Sequence, residues 1–198
     1  MIVCKKKQLV YFHNPKTAGS SITFVLAPHS TKSGELDMKE LEKEGSGWQG
    51  KVHHDGNQHF RMTYTQYGEF RNYFKFSFVR NPFDIILGFY EKTKERHNCK
   101  TLEQFLISSW YHGPDHALKY TQTEYLDPDN LDFIGRYENL YDDWKFIADK
   151  FDLPKELPHF NQRKNPQLKD YRKHYDETTR MLVEKRYQKD LEVFNYDF

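Results

Sequence analysis

The stretch LVYFHNPKTAGSSITFVL, residues 9–26, decides how this chain is built. Its first part is an apolar run typical of a short buried strand, and the run ends at Asn14-Pro15. Its last part has the composition of a short helix that stops near Pro28. Between the two lie small and hydroxyl residues around a single lysine, Lys16. A strand, a small-residue loop and a helix in this order predict either an ordinary turn or a cradle for an anionic group.

The loop between strand and helix carries the donors that an anion needs. A helix N-terminus has unpaired backbone N–H groups and a partial positive charge. Gly19 would let the backbone approach a ligand, and Lys16 adds a full charge. Hydroxyl donors come from Thr17, Ser20 and Ser21. The order differs from the Walker A loop, G-x-x-x-x-G-K-[ST], because Lys16 precedes Gly19. The motif alone leaves the turn and the anion site equally open.

The rest of the chain alternates strands with helices. NYFKFSFVRNP, residues 72–82, predicts a strand with Phe74, Phe76 and Phe78 on one face, and LDFIGRYENL, residues 131–140, predicts another. Helical spacing predicts helices in residues 83–97, 101–111 and 140–151 and from about Asp176 onward. The alternation predicts a three-layer α/β fold with a central, mostly parallel sheet. We expect one domain spanning residues 1–198, with about residues 30–60 as a variable excursion.

The composition narrows the classes of function. The 30 basic residues nearly cancel the 29 acidic ones, so a general affinity for nucleic acid is not expected. Cys4 and Cys99 fit neither a disulfide framework nor a zinc spacing. No apolar leader or run of about 18 apolar residues is visible. We therefore expect a soluble, cytoplasmic protein without a membrane segment. A trimmed, membrane-anchored lumenal enzyme is the alternative.

Two loops read together resemble a known family. HNPKTAGSS, followed later by YFKFSFVRNPFD, resembles the carbohydrate-type sulfotransferases that use 3′-phosphoadenosine 5′-phosphosulfate (PAPS). FIGRYENLYDDWKFIADKFDL and YRKHYDETTRMLVEKRYQKDLEVFNY are similar to that family's later segments, in the same order. The resemblance implies a P-loop-NTPase-like sulfotransferase fold with PAPS as co-substrate. It also implies adenosine 3′,5′-bisphosphate (PAP) as product, a hydroxyl acceptor, expected to be a carbohydrate, and no metal.

The resemblance also implies roles for particular residues. Lys16 would stabilise the departing phosphate, and Arg80 would bind the 3′-phosphate. The family's serine for that phosphate is here Gly88, and a second family arginine is here Ile85. Both changes remove donors, so a non-catalytic nucleotide- or glycan-binding relative stays an alternative. The 5′-phosphosulfate would lie on a loop formed by Pro15, Lys16, Thr17, Ala18, Gly19, Ser20 and Ser21.

The resemblance also implies a general base between the two cofactor loops, where this chain has KVHHDGNQHFRMTY, residues 51–64. Histidine has a pKa suited to taking a proton near neutral pH. We favour His59, followed by His54 and His53. Their spacing matches no zinc motif. His13, directly before the lysine loop, is expected to pack behind it.

Other readings remain open at this point. An ATP-dependent small-molecule kinase would use the same kind of loop, although the missing Walker A order argues against it. Arg136 and Glu138 resemble a family feature beside the active site, and a structural ion pair is an equal alternative. LPHFNQRKNPQLKDY, residues 157–171, corresponds to a family segment that approaches the cofactor or the acceptor.

Overall fold

A computed structural model describes residues 2–30, 70–96, 98–112, 120–160 and 170–198, without the side chains of residues 109–112. The chain divides into two compact units. The first comprises Met1–Val79 with Tyr125–Gln162, and the second Arg80–Glu124 with Arg163–Phe198. The predicted bases His53, His54 and His59, and nearly all of the predicted excursion, lie outside the described residues. Within the described part of the chain, no helix combines the length and apolarity needed to cross a bilayer.

The strands and helices follow the predicted alternation. The predicted helices and the strands after residue 8 are all present, with ends within a few residues of those expected. The strands are β1 Ile2–Cys4, β2 Leu9–Phe12, β3 Phe74–Val79 and β4 Phe133–Arg136. The α-helices in the described residues are α1 Gly19–Leu26, α2 Pro82–Thr93, α3 Leu102–His112, α4 Gln122–Tyr125, α5 Leu140–Phe151 and α6 Glu177–Phe194.

The first unit contains a four-stranded sheet in the order β1-β2-β3-β4. β2 pairs in parallel with β3, and β3 pairs in parallel with β4. β1 is antiparallel to β2. The prediction of an α/β fold with a mostly parallel sheet is therefore confirmed. Because β2, β3 and β4 run in one direction, their carboxyl ends lie at the same edge of the sheet.

Strand β1 and helix α4 are absent from the sequence-based prediction. β1 has three residues and continues through a 3-10 turn, Lys5–Lys7, into Gln8, whose φ is 49°. α4 has four residues. Elements this short contain little more than one period of alternating or helical hydrophobicity, so no repeat is available for a pattern-based prediction to detect.

Both faces of the central strands are covered. Leu9 and Tyr11 of β2 and Phe76 and Phe78 of β3 share one face, and they form an apolar core with α1 and α5. The alternate residues point to the opposite face, and these are buried as well: Val10, Phe12, Ser77 and Val79. This burial on both faces is what the three-layer prediction requires.

The second unit has its own apolar core. Phe83 of α2, Phe105 of α3 and Val183 of α6 belong to it. A partial capping box lies at the start of α3. The Thr101 hydroxyl accepts a hydrogen bond from the Gln104 N–H at 3.1 Å, and the Gln104 side chain accepts one from the Lys100 N–H at 2.9 Å.

Helix α6 begins with a complete capping box. The Asp176 carboxylate accepts a hydrogen bond from the Thr179 N–H at 2.8 Å, and the Thr179 hydroxyl accepts one from the Asp176 N–H at 3.0 Å. The hydrogen bonds from the Thr179 side chain and backbone lower the pKa of Asp176 below its usual 3.8. The carboxylate form therefore stabilises the fold at pH values above 3.8. This contribution is lost as the pH falls through the lowered pKa.

We expect Asp176→Asn to weaken this pH dependence. Asparagine is also a good N-cap residue, so the substitution removes mainly the charge. Near neutral pH the wild type should have the higher free energy of unfolding, and the difference should shrink as the pH is lowered below 3.8. Urea titrations of both proteins across this range measure it. A difference that stays constant with pH would contradict the assigned role of the carboxylate.

Candidate functional site

The lysine loop, residues 15–21, runs from the carboxyl end of β2 into the first turn of α1. In α/β proteins, ligands bind at the edge formed by the carboxyl ends of parallel strands. The loop therefore occupies the position in the first unit where the fold itself favours a binding site.

The backbone of the lysine loop has left-handed residues that its sequence does not predict. Lys16 has φ 65° and Ala18 has φ 63°, both in the left-handed region. A residue other than glycine held there costs about 1 kcal/mol or more. Left-handed residues interrupting a right-handed backbone turn successive N–H groups toward one concavity, an arrangement that binds anions. Ala18 is also the N-cap residue of α1 and provides no side-chain cap.

Hydrogen bonds inside the loop maintain this backbone. Thr17 is buried, and its hydroxyl donates to the Asn14 carbonyl at 2.7 Å. The Asn14 side chain donates to the Phe78 carbonyl of β3 at 3.0 Å. The Thr17 hydroxyl, predicted as a ligand donor, thus donates its proton within the loop. Asn14 was not among the predicted site residues, although the Asn-Pro pair is a turn signal.

Gly19 has a packing role in addition to its predicted one. A Cβ atom at this position would lie 1.7 Å from Nε2 and 1.8 Å from Cδ2 of His13. The imidazole therefore occupies the space that any larger residue at position 19 would need. This packing agrees with the expectation that His13 lies behind the loop. The sequence suggested only that Gly19 brings the backbone close to a ligand.

Helix α1 contacts the segment at residues 157–171, of which the structure describes residues 157–160 and 170–171. The Ser21 hydroxyl accepts a hydrogen bond from the Phe160 N–H at 3.4 Å. The Phe160 ring meets the Phe24 ring edge-on, with 5.2 Å between centroids. Ser20, on the same turn, is half-buried. Residue 160 therefore lies against the helix that follows the lysine loop, and the approach of the segment to a cofactor or acceptor stays a prediction.

Tyr11 lies beneath the lysine loop. Its side chain is fully buried, and its hydroxyl lies beside Thr17. Burial raises the pKa of the Tyr11 phenol well above its ordinary range, an effect that Thr17 partly opposes. The hydroxyl makes no well-formed hydrogen bond with any described residue. Tyr11 is therefore a neutral O–H group under the loop. The sequence contains no indication of this, because Tyr11 lies in an ordinary apolar strand.

Arg80 follows β3 directly in the chain and belongs to the second unit. Its Nε donates to Oδ2 of Asp84 at 2.8 Å, and its Nη2 donates to the same oxygen. The side chain is nearly buried, with 10% of its surface exposed. This ion pair fixes the orientation of the guanidinium. That Arg80 lies beside the lysine loop stays a prediction.

The two departures from the family pattern both lie on α2. Ile85, which replaces the family's second arginine, is buried in the apolar core of the second unit. Gly88, which replaces the family's serine, is half-buried and has no side chain to donate from. Neither residue supplies a charged or hydroxyl ligand.

Polar contacts also fix the turn after β4. The Asp143 carboxylate accepts hydrogen bonds from the Arg136 N–H at 2.6 Å and from the Asn139 side chain at 2.8 Å.

Among the residues that the structure describes, no group of three or more His, Cys, Asp or Glu side chains is placed to hold a metal ion.

Comparisons with known proteins give a family match and a relative. A family model described as "Sulfotransferase family" matches residues 1–197. An uncharacterized protein of Archaeoglobus fulgidus is 34% identical over 95 residues, which cover 44% of this chain and 75% of that protein. No solved structure matches the chain significantly.

We expect Gly19→Ala to reduce the free energy of unfolding by about 1–3 kcal/mol, because the new methyl group overlaps the His13 ring. In a His13→Ala background the same change should cost much less, since the ring is gone. Urea denaturation of the wild type, both single variants and the double variant completes a thermodynamic cycle. An equal cost in both backgrounds would show that His13 is not the obstacle.

Proposed function

The chain belongs to the sulfotransferase family, and we propose that it transfers a sulfuryl group from PAPS to a hydroxyl of a carbohydrate acceptor. The observation that carries the choice of donor is the lysine loop. Two left-handed residues, an N-terminus of α1 without a side-chain cap, and Lys16 together suit an anionic sulfate or phosphate group.

The proposed chemistry needs little from the protein beyond positioning and charge stabilisation. The bond from sulfur to the bridging oxygen of PAPS breaks, and a bond forms between sulfur and the acceptor oxygen. Negative charge grows on the phosphate of PAP as it departs, and the Lys16 ammonium would stabilise it there. The acceptor's proton would pass to a histidine, for which His59 stays the first choice before His54 and His53.

Recognition of the 3′-phosphate is assigned to Arg80. A planar guanidinium suits a phosphate group because it presents paired N–H donors. The bond to Asp84 orients this guanidinium. Gly88 and Ile85 add no donor, so we propose that Arg80 contributes most of the discrimination between PAP and nucleotides without a 3′-phosphate.

An apolar cleft supports the choice of a carbohydrate acceptor. It lies along the later part of α1, has a volume of about 830 Å³, and is lined in part by Phe24, His29, Tyr141 and His159. The Tyr141 hydroxyl and Nδ1 of His159 are hydrogen-bonded at 2.9 Å. A sugar ring has apolar faces and polar edges, which match a wall of aromatic rings with polar tips.

We propose that both units belong to one sulfotransferase domain spanning residues 1–198, supported by the family match over residues 1–197. The cytoplasmic location stays a prediction from the sequence. An oligomeric partner is not part of the proposal.

Calorimetry separates the sulfotransferase from the kinase alternative. We expect PAP to bind and Mg-ATP not to bind, because the lysine loop lacks the Walker A order. Binding of Mg-ATP without binding of PAP would replace the proposal by the kinase. Incubation with PAPS and a glycan library, followed by mass spectrometry, then tests catalysis. PAP binding without sulfate on any glycan would favour the non-catalytic relative.

We expect Lys16→Ala to reduce kcat by about 100-fold to 1000-fold, the usual effect of removing one donor to a developing charge. The free energy of unfolding should change little, because alanine meets the same left-handed backbone as lysine does. Lys6→Ala, at an exposed position in the turn before β2, is the matched control and should keep full turnover. Unchanged kcat in Lys16→Ala would remove the lysine from the mechanism.

A further inference from the structure

The backbone of Arg80 is held by a single side chain. Oε1 of Gln122 accepts a hydrogen bond from the Arg80 N–H at 3.0 Å, and Nε2 of Gln122 donates to the Arg80 carbonyl at 2.8 Å. The Gln122 carboxamide thus pairs with both backbone groups of one residue, as a peptide group of a neighbouring strand would. Gln122 is buried, so water does not compete for these bonds.

Gln122 is itself held by a buried carboxylate. Oδ2 of Asp190, on α6, accepts a hydrogen bond from the Gln122 N–H at 2.7 Å. Oδ1 of Asp190 accepts from the N–H and the hydroxyl of Thr123, both at 2.8 Å. Asp190 has no exposed surface, and burial raises its pKa, although the bonds from Thr123 and Gln122 oppose this. A carboxylate is buried at a high cost unless donors surround it, and here three donors do.

These contacts form one chain of hydrogen bonds that ends at Arg80. Asp190 holds Gln122, Gln122 holds the Arg80 backbone, and Asp84 holds the Arg80 guanidinium. All of these residues belong to the second unit. A flexible arginine loses conformational freedom when it binds a phosphate, and a side chain fixed beforehand loses less.

We propose that Gln122 and Asp190 are positioning residues for Arg80, fixing the backbone from which its guanidinium meets the 3′-phosphate. This inference rests on the proposed function of Arg80. Neither residue is required to touch the nucleotide. Their effect is confined to recognition of the 3′-phosphate and leaves the contacts of the 5′-phosphate unchanged.

The test compares the affinities for PAP and for 5′-AMP, which lacks the 3′-phosphate, by calorimetry. In the wild type, PAP should bind more tightly than 5′-AMP. The Arg80→Ala variant measures the preference for PAP that remains without the guanidinium. Gln122→Ala should reduce the preference by about tenfold, as loss of an outer residue that orients a ligand-binding group commonly does. Its affinity for 5′-AMP should stay at the wild-type value. A residue that only stabilises the fold would not change one affinity selectively.

Gln122→Glu is the second variant, in case the alanine variant does not fold. It keeps the shape of the side chain but, when ionised, has no hydrogen to donate to the Arg80 carbonyl, and when protonated it donates a hydroxyl instead. The selective loss is therefore expected at a pH high enough to ionise it and should shrink as the pH is lowered. Tyr175→Phe is the matched control. It removes a hydrogen bond to the Phe83 carbonyl in the same unit, at a residue without an assigned role in binding, and should keep the wild-type preference.

The outcomes separate the inference from the proposed function. A wild type that does not prefer PAP over 5′-AMP refutes the proposed recognition of the 3′-phosphate itself. A wild type that prefers PAP, with the preference lost in Arg80→Ala but kept in both Gln122 variants, overturns the inference alone. Equal losses for PAP and 5′-AMP in the Gln122 variants assign Gln122 a purely structural role and likewise overturn it.

Discussion

The parallel pairing of β2 and β3 is the constraint on which the candidate site depends. Backbone pairing extends to Phe12 and Ser77, and two side chains add to it at the carboxyl ends of the strands. The Ser77 hydroxyl donates to the Phe12 carbonyl at 2.7 Å, and the Asn14 side chain donates to the Phe78 carbonyl at 3.0 Å. These bonds hold the start of the lysine loop against β3. A loop fixed at its base can keep a strained backbone, whereas a free loop would relax.

The strain in the lysine loop and the packing around it belong together. Lys16 and Ala18 occupy the left-handed region, which neither residue type favours. The buried Thr17 between them bonds to Asn14, and the His13 ring fills the space beside Gly19. Each of these contacts excludes other backbone conformations of the loop. A strained backbone that is held in place by its surroundings is typical of ligand sites. Its N–H groups are already oriented, so they need no reordering when an anion binds.

The sequence predicted the large elements because their hydrophobic residues repeat over several periods or form a clear apolar run. β3 alternates Phe74, Phe76 and Phe78, and the stripes of α2, α5 and α6 repeat over several turns. What it could not predict has no local signal. Lysine and alanine give no hint of a positive φ, and Gln122 and Asp190 are 68 positions apart with no pattern linking them. The contact between His13 and Gly19 likewise depends on the path of the loop between them.

The departures from the family pattern and the hydrogen bonds around Arg80 explain each other. Ile85 is part of an apolar core, and Gly88 has no side chain, so neither position offers a phosphate group a cation or a hydroxyl. Under the proposed function, recognition of the 3′-phosphate therefore depends on the Arg80 guanidinium. A single donor group discriminates well only when its position is well defined, because every alternative rotamer lowers the effective affinity. The Arg80 backbone is bonded to the Gln122 carboxamide, and its guanidinium donates to Asp84, so the residue is fixed at both ends. In the proposed function this restriction compensates for the donors that positions 85 and 88 lack.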